Sequence, residues 1–259
     1  AGKSTLTDRL AREYRKQGKT VGIIAIDPTS PFSGGAILGD RIRMNALTLD
    51  EGVFIRSMGT RGSLGGLSQK TADAVKVMDA FGKDIILVET VGVGQSEVDI
   101  VKAADTTMVV LIPGMGDDIQ AIKAGILEIG DLFAINKADH DGADKQETEL
   151  NMMLDRDGNT NDWRPPIKQV VASKGQGIEV LVETIDAHYA HIKENGQLTK
   201  RRTERTRNEM LDILHSGIGS YISKQIVQTG QLDTYVMQIE KHEIDPYSVV
   251  QKIMESMLK

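Results

Sequence analysis

Five short, almost wholly apolar runs recur along the first two thirds of the chain and alternate with stretches of helical spacing. They cover residues 21–26, 85–88, 108–112, 132–135 and 170–172, and a shorter run at 53–55 is expected to form an edge strand. Nearly continuous apolarity is typical of parallel strands that helices cover on both faces. The sequence therefore predicts an α/β fold, with a mostly parallel sheet and helices on both faces.

Polar residues follow nearly every predicted strand at the point where it ends. Polar residues follow four of the runs, namely Asp27, Glu89-Thr90, Asn136-Lys137 and Ser173-Lys174-Gly175, and Pro113-Gly114 follows the third. The carboxyl ends of parallel strands lie along one edge of an open sheet, and ligands bind at that edge. We therefore expect these residues to contribute to one binding site.

The chain begins with the segment Ala1-Gly2-Lys3-Ser4-Thr5, which matches the second half of the phosphate-binding pattern G-x-x-x-x-G-K-[ST]. In such a loop the backbone N–H groups contact phosphates, the lysine reaches the β- and γ-phosphates, and the hydroxyl binds Mg²⁺. We therefore assign Gly2, Lys3, Ser4 and Thr5 to nucleotide binding, and Lys3 also to catalysis. The start of the loop and the strand before it are expected upstream, so the chain as written is expected to bind its nucleotide poorly or to fold badly.

A second motif, Asn136-Lys137-Ala138-Asp139, has the pattern N-K-x-D at the end of a predicted strand. The Asp139 carboxylate can accept hydrogen bonds from the N1–H and N2–H₂ donors of guanine, and Asn136 can address the acceptor edge of the base. The Lys137 stem can lie along the base plane. Adenine would leave the carboxylate without donors, which is costly for a buried charge.

A turn predicted after the last strand supplies a weaker signal for the same base. Backbone N–H groups of residues 172–175, with Ser173 and Lys174, are expected to face O6 of guanine, and an ordinary turn explains this segment equally well. The phosphate and guanine motifs together predict a GTPase whose ligands are GTP and GDP.

Three carboxylates, Asp27, Asp40 and Glu89, are expected around a Mg²⁺ ion and the attacking water, together with the Ser4 hydroxyl. Mg²⁺ prefers oxygen ligands and keeps several of its waters, so carboxylates often act through those waters. A helix N-cap is the alternative role for Asp40. Asp27 and Glu89 are also candidates for catalysis.

The segment Glu89-Thr90-Val91-Gly92 resembles the D-x-x-G motif, whose glycine N–H contacts the γ-phosphate, so Gly92 is assigned to nucleotide binding. Arg43 is a candidate for stabilising transition-state charge, with a solvated helix face as an equal alternative. Since no residue stands out as an arginine finger, we expect slow intrinsic hydrolysis that a partner accelerates.

Residues 198–259 differ in character from the rest of the chain. A basic run at 200–207 is followed by apolar residues at spacings of three and four, namely Leu211, Leu214, Ile218, Ile222 and Ile226. Asp245-Pro246 is expected to cap a further helix. We predict a GTPase domain at 1–197 and a helical appendage at 198–259, whose apolar stripe packs on a partner subunit or back onto the sheet.

Composition limits the classes of partner. The net charge of −6 argues against a general nucleic-acid-binding surface, and the absence of cysteine excludes disulfides, thiolate metal sites and cysteine nucleophiles. No apolar run approaches the ~20 residues that span a bilayer, so no membrane partner is expected. The cytosol is the default compartment, with a mitochondrial-matrix-type compartment as the alternative.

Two longer segments carry a family resemblance. Residues 27–41 read DPTSPFSGGAILGDR and residues 89–97 read ETVGVGQSE. They resemble the MeaB/ArgK family of SIMIBI-class P-loop GTPases, which serve as chaperones of adenosylcobalamin-dependent methylmalonyl-CoA mutase. The resemblance covers residues 1 to about 195. It implies Mg²⁺-dependent GTP hydrolysis that gates cobalamin loading and protection in that mutase or a related acyl-CoA mutase. It also implies a homodimer, with the helical appendage as the dimerisation arm.

The resemblance also implies roles for particular residues. The metal-site and catalytic carboxylates of the family map onto Asp27, Asp40 and Glu89. In the segment 114–123, the residues that would relay the nucleotide state to the mutase are Asp117, Gln120 and Lys123. A plain strand-to-helix turn is the alternative for that segment. Residues 186–191 begin like the D-x-H-x-x-G motif of cobalt-ligating domains but lack its glycine, so direct cobalamin ligation is not expected.

Other functions stay as alternatives: a nickel-insertion maturation GTPase, a transport-protein-associated kinase or ATPase, and a scaffold that binds nucleotide without catalysis. Nickel-insertion proteins generally display Cys and His sites, whereas the five histidines here are dispersed. His188 and His191 are expected to lie on a solvated helix face rather than to bind a metal. A solvated helix or linker is likewise favoured over RNA binding for the basic run at 200–207.

Overall fold

The computed structural model describes residues 1–27, 47–59, 69–90, 103–114, 126–156 and 162–257. The chain forms two compact units, Ala1–Arg202 and Thr203–Lys259. The strands of the first unit are β1 (Val21–Asp27), β2 (Val53–Gly59), β3 (Ile85–Glu89), β4 (Met108–Leu111), β5 (Leu132–Asn136) and β6 (Ile167–Val170). Its helices are α1 (Lys3–Lys16), α2 (Gln69–Ala80), α3 (Ile126–Ile129), α4 (Ala143–Arg156), α5 (Ile178–Glu194) and the beginning of α6 (Gln197–Gln228).

The strands are arranged in two three-stranded sheets with the orders β2-β1-β3 and β4-β5-β6. Every pairing between these strands is parallel. Within the described ranges, β3 pairs only with β1, and β4 pairs only with β5. The predicted α/β class with parallel strands is confirmed, and the run at 53–55 does form an edge strand of its sheet, β2.

The prediction of a strand at 170–172 is wrong in its position. Strand β6 occupies Ile167–Val170, and Ala172–Lys174 already form a short 3-10 helix. Gln169 has a polar side chain, so it is not part of an apolar run, and the pattern therefore predicts the strand too late in the chain. In the fold, Gln169 Nε2 is held by the carboxylates of Asp144 and Glu147 on α4, at 2.9 and 2.7 Å. A polar residue with partners of its own can therefore continue a strand.

One apolar cluster joins α1 and α5 to strands of both sheets. It contains Leu6, Leu10 and Tyr14 of α1, which are spaced by four residues and are all at most 3% exposed. Side chains from β1, β5 and α5 complete it, among them Val21, Ile23, Leu132, Ala134, Leu181 and Val182. Burying one such leucine stabilises the fold by roughly 1.5–3 kcal/mol. Helix α1 is therefore fixed across the two sheets, with its first turn at their carboxyl edge.

A polar cluster lies at the amino ends of β4 and β5, opposite that edge. Asp131 accepts hydrogen bonds from the Thr107 N–H at 2.7 Å and from Arg201 of α6 at 2.9 and 3.1 Å. The Asp131 carbonyl accepts one from Trp163 Nε1 at 2.8 Å. Burial of Asp131 disfavours its charge, but the contacts with His188 and Arg201 outweigh burial and hold the pKa of this carboxyl below its usual value.

The expectation that His188 lies on a solvated helix face is wrong. This side chain is 1% exposed on α5. Its Nδ1 lies 2.8 Å from Thr106 Oγ1, its Nε2 lies 3.2 Å from Asp131 Oδ1, and the Trp163 ring packs edge-on against it. The reason is that α5 turns this position toward the β4–β5 end, where polar partners replace water.

The basic run lies on a helix, as expected, and two of its arginines have carboxylate partners. Arg201 pairs with Asp131, and Arg202 Nη2 lies 2.6 Å from Asp105 Oδ2. These pairs attach the beginning of α6 to the amino ends of β4 and β5. No helix in the described part of the chain combines the length and apolarity that crossing a membrane requires.

The second unit consists of the remainder of α6 with α7 (Gln231–Glu240) and α8 (Pro246–Met257). The predicted cap of the last helix is confirmed, because Asp245 Oδ1 accepts the N–H groups of Tyr247 and Ser248 at 2.9 and 3.1 Å. Large apolar side chains of this unit are exposed, among them Met210, Leu211, Ile213, Leu214, Ile218 and Tyr221 on α6. The predicted boundary between two functional domains at residues 197 and 198 stays a prediction. It lies at the beginning of α6, which continues into the second unit.

Candidate functional site at the carboxyl edge

The first turn of α1 has the geometry of an anion-binding helix start. Gly2 precedes the helix with φ 75° and ψ 30°, in the left-handed region that favours glycine, and no side chain caps the helix. The first N–H groups of a helix carry partial positive charge and point away from it. No acidic residue lies in this first turn. Lys3 and Ser4 are part of it, so cationic and hydroxyl groups lie where phosphate oxygens would bind.

Asn136 lies so close to Gly2 that a larger residue would not fit at this position. A Cβ placed on Gly2 would lie 2.8 Å from Asn136 Nδ2. That distance is shorter than carbon–nitrogen contacts allow, so a side chain at this position would displace the asparagine. The glycine of the phosphate motif therefore lies directly against the asparagine of the guanine motif.

Asn136 connects the two motifs through its side-chain amide. It ends β5, is 3% exposed, donates from Nδ2 to the Ala1 carbonyl at 3.0 Å and accepts the Ala172 N–H at Oδ1 at 3.1 Å. One amide thus links the phosphate segment, the end of β5 and the turn after β6. Its second Nδ2 hydrogen has no acceptor within the described ranges and can donate to an acceptor on a base.

A serine–glutamate pair lies on the other side of α1. Ser4 Oγ donates to Glu89 Oε1 at 2.7 Å, across 85 positions of sequence. Glu89 ends β3, which pairs with β1, and Asp27 ends β1 two residues beyond the partner of Glu89. The Asp27 side chain lies outside the described part. The hydroxyl and carboxylate oxygens that converge here are the hard donors that Mg²⁺ prefers, so the residues present fit this ion.

No group of three or more His, Cys, Asp or Glu side chains suited to a metal occurs among the described residues. Mg²⁺ does not need such a group, because it keeps several waters and binds through one or two carboxylates and the substrate phosphates. The Ser4–Glu89 pair therefore stays the predicted metal position.

Lys137 adopts a backbone conformation that side chains rarely take. Its φ is 59°, in the left-handed region, directly after the end of β5. Such a conformation costs a non-glycine residue about 1–2 kcal/mol. The tight turn brings Ala138 N–H to the Val170 carbonyl at 3.1 Å and leads the chain to Asp139. The Lys137 side chain is exposed.

Asp139 is paired with Lys174 in this structure. The Lys174 Nζ lies 2.8 Å from Asp139 Oδ2, and the lysine holds the pKa of that carboxyl below its usual value. Both side chains are exposed, so the pair contributes little to stability. The pair does show that the Asp139 carboxylate faces the turn that carries Ser173 and Lys174.

Sequence reasoning missed Arg9. This residue lies on α1, donates from Nε to the Ala172 carbonyl at 3.0 Å and donates from Nη2 to the Ser173 carbonyl at 2.9 Å. An arginine one and a half turns after G-K-S carries no motif, and its partners are 163 and 164 residues away. No signal in the sequence could have paired them.

The predicted site residues are therefore brought together as far as the structure describes them. A chain of contacts joins the first turn of α1 to the ends of β3 and β5 and to the turn after β6. It runs through the segment that holds Gly2, Lys3, Ser4 and Thr5, and through Glu89, Asn136, Lys137, Asp139, Ser173 and Lys174. The predicted residues that lie outside the described residues are Asp40, Arg43, Gly92, Asp117, Gln120 and Lys123. The role of each residue stays a prediction.

Comparison with known proteins decides the family. The family described as "Methylmalonyl Co-A mutase-associated GTPase MeaB" matches residues 1–226 of this chain. The chain belongs to the MeaB family of GTPases. The resemblance found in the sequence is confirmed, and the predicted GTPase class is confirmed with it.

Two relatives show how far the similarity extends. A protein of Pyrococcus abyssi is 50% identical over 261 residues, which span all of this chain and 80% of that protein. The mouse protein "Methylmalonic aciduria type A homolog, mitochondrial" is 34% identical over 225 residues, which span 84% of this chain and 54% of the mouse protein. The similarity to the Pyrococcus abyssi protein therefore spans both the phosphate and the guanine motifs.

A solved structure described as "LAO/AO transport system kinase" is similar to this chain, with a TM-score of 0.71 and 21% identity. The match covers all of this chain and 78% of the chain in that structure. At that identity the likeness shows the fold alone. It agrees with the parallel sheets and flanking helices described above.

Proposed function

We propose that this chain is a GTP-driven chaperone of an acyl-CoA mutase. In this proposal, Mg²⁺-dependent GTP hydrolysis gates the loading of adenosylcobalamin into methylmalonyl-CoA mutase or a related mutase and protects the cofactor there. The observation that carries it is the direct link between phosphate and guanine motifs through Asn136. The family description, which names a mutase-associated GTPase, supports the choice of client.

The chain's own residues support phosphoryl transfer by positioning and by charge. Lys3 and the N–H groups of the first turn of α1 bind the β- and γ-phosphates, and Asn136 fixes this turn against the base site. Ser4 and Glu89 are the residues that would hold Mg²⁺, and the ion would supply positive charge beside the phosphate oxygens. Glu89 and Asp27 orient the attacking water, and Asp40, Arg43 and Gly92 complete the site. Lys3 thereby serves binding and catalysis together.

Guanine selectivity comes from the exposed carboxylate of Asp139. When the base binds, its N1–H and N2–H₂ donors replace the Lys174 ammonium at that carboxylate. The Ser173 N–H of the turn at 172–174 then faces O6, and Lys137 covers the base with its stem. Adenine presents an acceptor and no donor pair at this position, so it is rejected.

The mutase would read the nucleotide state through Asp117, Gln120 and Lys123. The client contacts this segment, and the cobalamin stays with the mutase, since the D-x-H-x-x-G motif is incomplete in this chain. Neither nucleic acid nor membrane has a part in the proposal. A homodimer forms through the second unit, where helix α6 exposes a long apolar surface, including Leu214 at 52% and Ile218 at 46%.

Single-turnover GTP hydrolysis, with and without purified apo methylmalonyl-CoA mutase, tests the proposal. We expect the mutase to change the rate about tenfold or more, as partner contacts do in other GTPases of slow intrinsic rate. Lys3→Ala should abolish hydrolysis in both arms and so control for contaminating activity. Hydrolysis that is unaffected by the mutase would reject the chaperone role. No hydrolysis in either arm, with nucleotide bound, would favour the scaffold alternative.

A further inference from the structure

Two consecutive carbonyls of the turn after β6 are held by one side chain of α1. Arg9 donates from Nε to the Ala172 carbonyl at 3.0 Å and from Nη2 to the Ser173 carbonyl at 2.9 Å. The guanidinium is planar and permanently charged, so two parallel bonds from it fix the direction of both peptide planes. Arg9 itself is half-buried, while Ser173 is exposed.

The direction of these carbonyls decides which N–H group of the turn faces the base. In a trans peptide the carbonyl of one residue and the N–H of the next point in opposite directions. With the Ala172 carbonyl held toward Arg9, the Ser173 N–H therefore points away from α1. The remaining amides are engaged: Ala172 N–H binds Asn136, Lys174 N–H binds the Val171 carbonyl, and Gly175 N–H binds the Ala172 carbonyl.

The Ser173 N–H has no acceptor among the residues that the structure describes. It therefore remains the one amide of the 172–174 turn that can donate to a ligand. The next residue of the turn, Lys174, reaches Asp139 through a 2.8 Å contact between Nζ and Oδ2, so the turn and the Asp139 carboxylate are joined. A base whose donors reach Asp139 presents its adjacent acceptor toward this N–H.

We infer that Arg9 is a positioning residue for base recognition: by holding the carbonyls of Ala172 and Ser173, it aims the Ser173 N–H at O6 of guanine. This inference rests on the proposed guanine site. Arg9 also attaches the 172–174 turn to α1 itself, whereas Asn136 attaches it to the Ala1 carbonyl just before that helix. The distance between phosphate and base contacts is thereby set by α1.

The test compares Arg9→Ala with the matched variant Arg12→Ala. Arg12 lies on the same helix, pairs with Asp8 at 2.8 Å and makes no contact with the 172–174 turn among the described residues. Both variants lose one arginine from α1, and only Arg9→Ala releases the turn. Melting temperatures and circular dichroism establish that each variant is folded.

Three ligands separate the O6 contact from the others in competition titrations: GDP, 6-thio-GDP and IDP. 6-Thio-GDP keeps the N1–H and N2–H₂ donors and replaces O6 with a larger, weaker acceptor. IDP keeps O6 and lacks the N2 amino group, so its penalty reports on Asp139. The quantities compared are the GDP to 6-thio-GDP affinity ratio and the GDP to IDP affinity ratio in each protein.

We expect Arg9→Ala to lower GDP affinity about tenfold and to reduce the preference for GDP over 6-thio-GDP by about threefold or more. The preference for GDP over IDP should stay as in the wild type, and Arg12→Ala should change neither ratio. Arg9→Lys, which keeps the charge and one donor, should give an intermediate ratio and replaces Arg9→Ala if that variant fails to fold.

An unchanged GDP to 6-thio-GDP ratio in folded Arg9→Ala or Arg9→Lys would overturn the inference. So would an equal loss in both ratios, which would indicate a general loosening of the site. Wild-type protein that fails to distinguish GDP from ADP would reject the guanine site itself. Missing stimulation by the mutase would reject only the chaperone role, since the ligand ratios are measured without a partner.

Discussion

The hydroxyl of Ser4 donates a 2.7 Å hydrogen bond to Oε1 of Glu89, which joins the first turn of α1 to the end of β3. This pair places a hydroxyl oxygen and a carboxylate oxygen next to the helix start at which phosphate would bind. The relationship accounts for the predicted dependence of activity on Mg²⁺.

Ser4→Ala should weaken the use of Mg²⁺ more than nucleotide binding itself. Without the hydroxyl, the ion loses a ligand at the phosphate side, so the Mg²⁺ concentration for half-maximal GTP hydrolysis should rise about tenfold or more. GDP affinity in EDTA should change by less than about twofold, because the helix N–H groups remain. Thr184→Ala serves as the control, because among the described residues this hydroxyl bonds only the Val180 carbonyl of its own helix. An unchanged Mg²⁺ dependence in Ser4→Ala would remove Ser4 from the metal site.

Lys137→Gly should separate stability from binding. Glycine adopts the left-handed conformation at φ 59° without strain, so the free energy of unfolding should stay equal or rise by up to about 1 kcal/mol. GDP affinity should fall, because the stem that covers the base is lost. His242→Gly is the matched control: φ is 58° there, so the same relief occurs in the second unit, with unchanged GDP affinity. Urea unfolding and GDP titration measure the two effects. A Lys137→Gly protein with full affinity would show that the lysine does not contact the base.

Asp131→Asn should destabilise the protein in a pH-dependent manner. The folded-state pKa of Asp131 is below its usual value, so its stabilising contribution is complete above about pH 4 and is lost as pH falls through the folded-state pKa. At pH 7 the variant should be less stable by about 3 kcal/mol, because Arg201 and the Thr107 N–H lose a charged acceptor. Urea unfolding at pH 7 and in steps below pH 4 measures the difference.

The difference in the free energy of unfolding between wild type and Asp131→Asn should become smaller as the pH is lowered below about pH 4. Asp162→Asn, which removes an exposed carboxylate, should show no such narrowing. A stability difference that is the same at every pH would show that the charge of Asp131 is not what stabilises the amino ends of β4 and β5.

Leu214→Glu should convert the proposed dimer into a monomer. The residue is 52% exposed on α6, and a charge there would be buried without a partner in an apolar interface. Light scattering during size-exclusion chromatography should give twice 28.3 kDa for the wild type and 28.3 kDa for the variant. Ser216→Glu, at an exposed polar position two residues further along α6, controls for the added charge. A wild type that elutes with the mass of one chain at all concentrations would contradict the dimer.

Much of the fold follows from local patterns, and the rest depends on partners far away in sequence. The apolar runs of β1, β3, β4 and β5 predict strands because burial on both faces requires continuous apolarity. The same rule predicts the last strand at the wrong position. Gln169 interrupts the apolar pattern of β6, although its side chain is paired with Asp144 and Glu147 rather than exposed. His188 is a second case, where a titratable side chain on a helix is buried against Trp163 and Asp131.

The candidate site shows the same division. G-K-S and N-K-x-D predict their own residues, because each is a compact segment with a chemical task. What the motifs do not contain is the connection between them, such as Asn136 to the Ala1 carbonyl or Arg9 to the Ala172 carbonyl. Hydrogen bonds to backbone carbonyls place no demand on the partner's side chain, so they leave no trace in the sequence.

Asp139 and Lys174 provide the sharpest test of guanine recognition at this edge of the sheet. The measurement is the affinity of wild-type and Asp139→Asn protein for GDP and for xanthosine diphosphate. We expect the wild type to prefer GDP over xanthosine diphosphate by about a hundredfold. The variant should lose GDP affinity by about tenfold or more and gain affinity for xanthosine diphosphate, because the C2 carbonyl of xanthine accepts a hydrogen bond from the asparagine amide. Equal preferences in the two proteins would contradict this expectation, because guanine would then be bound without the Asp139 carboxylate.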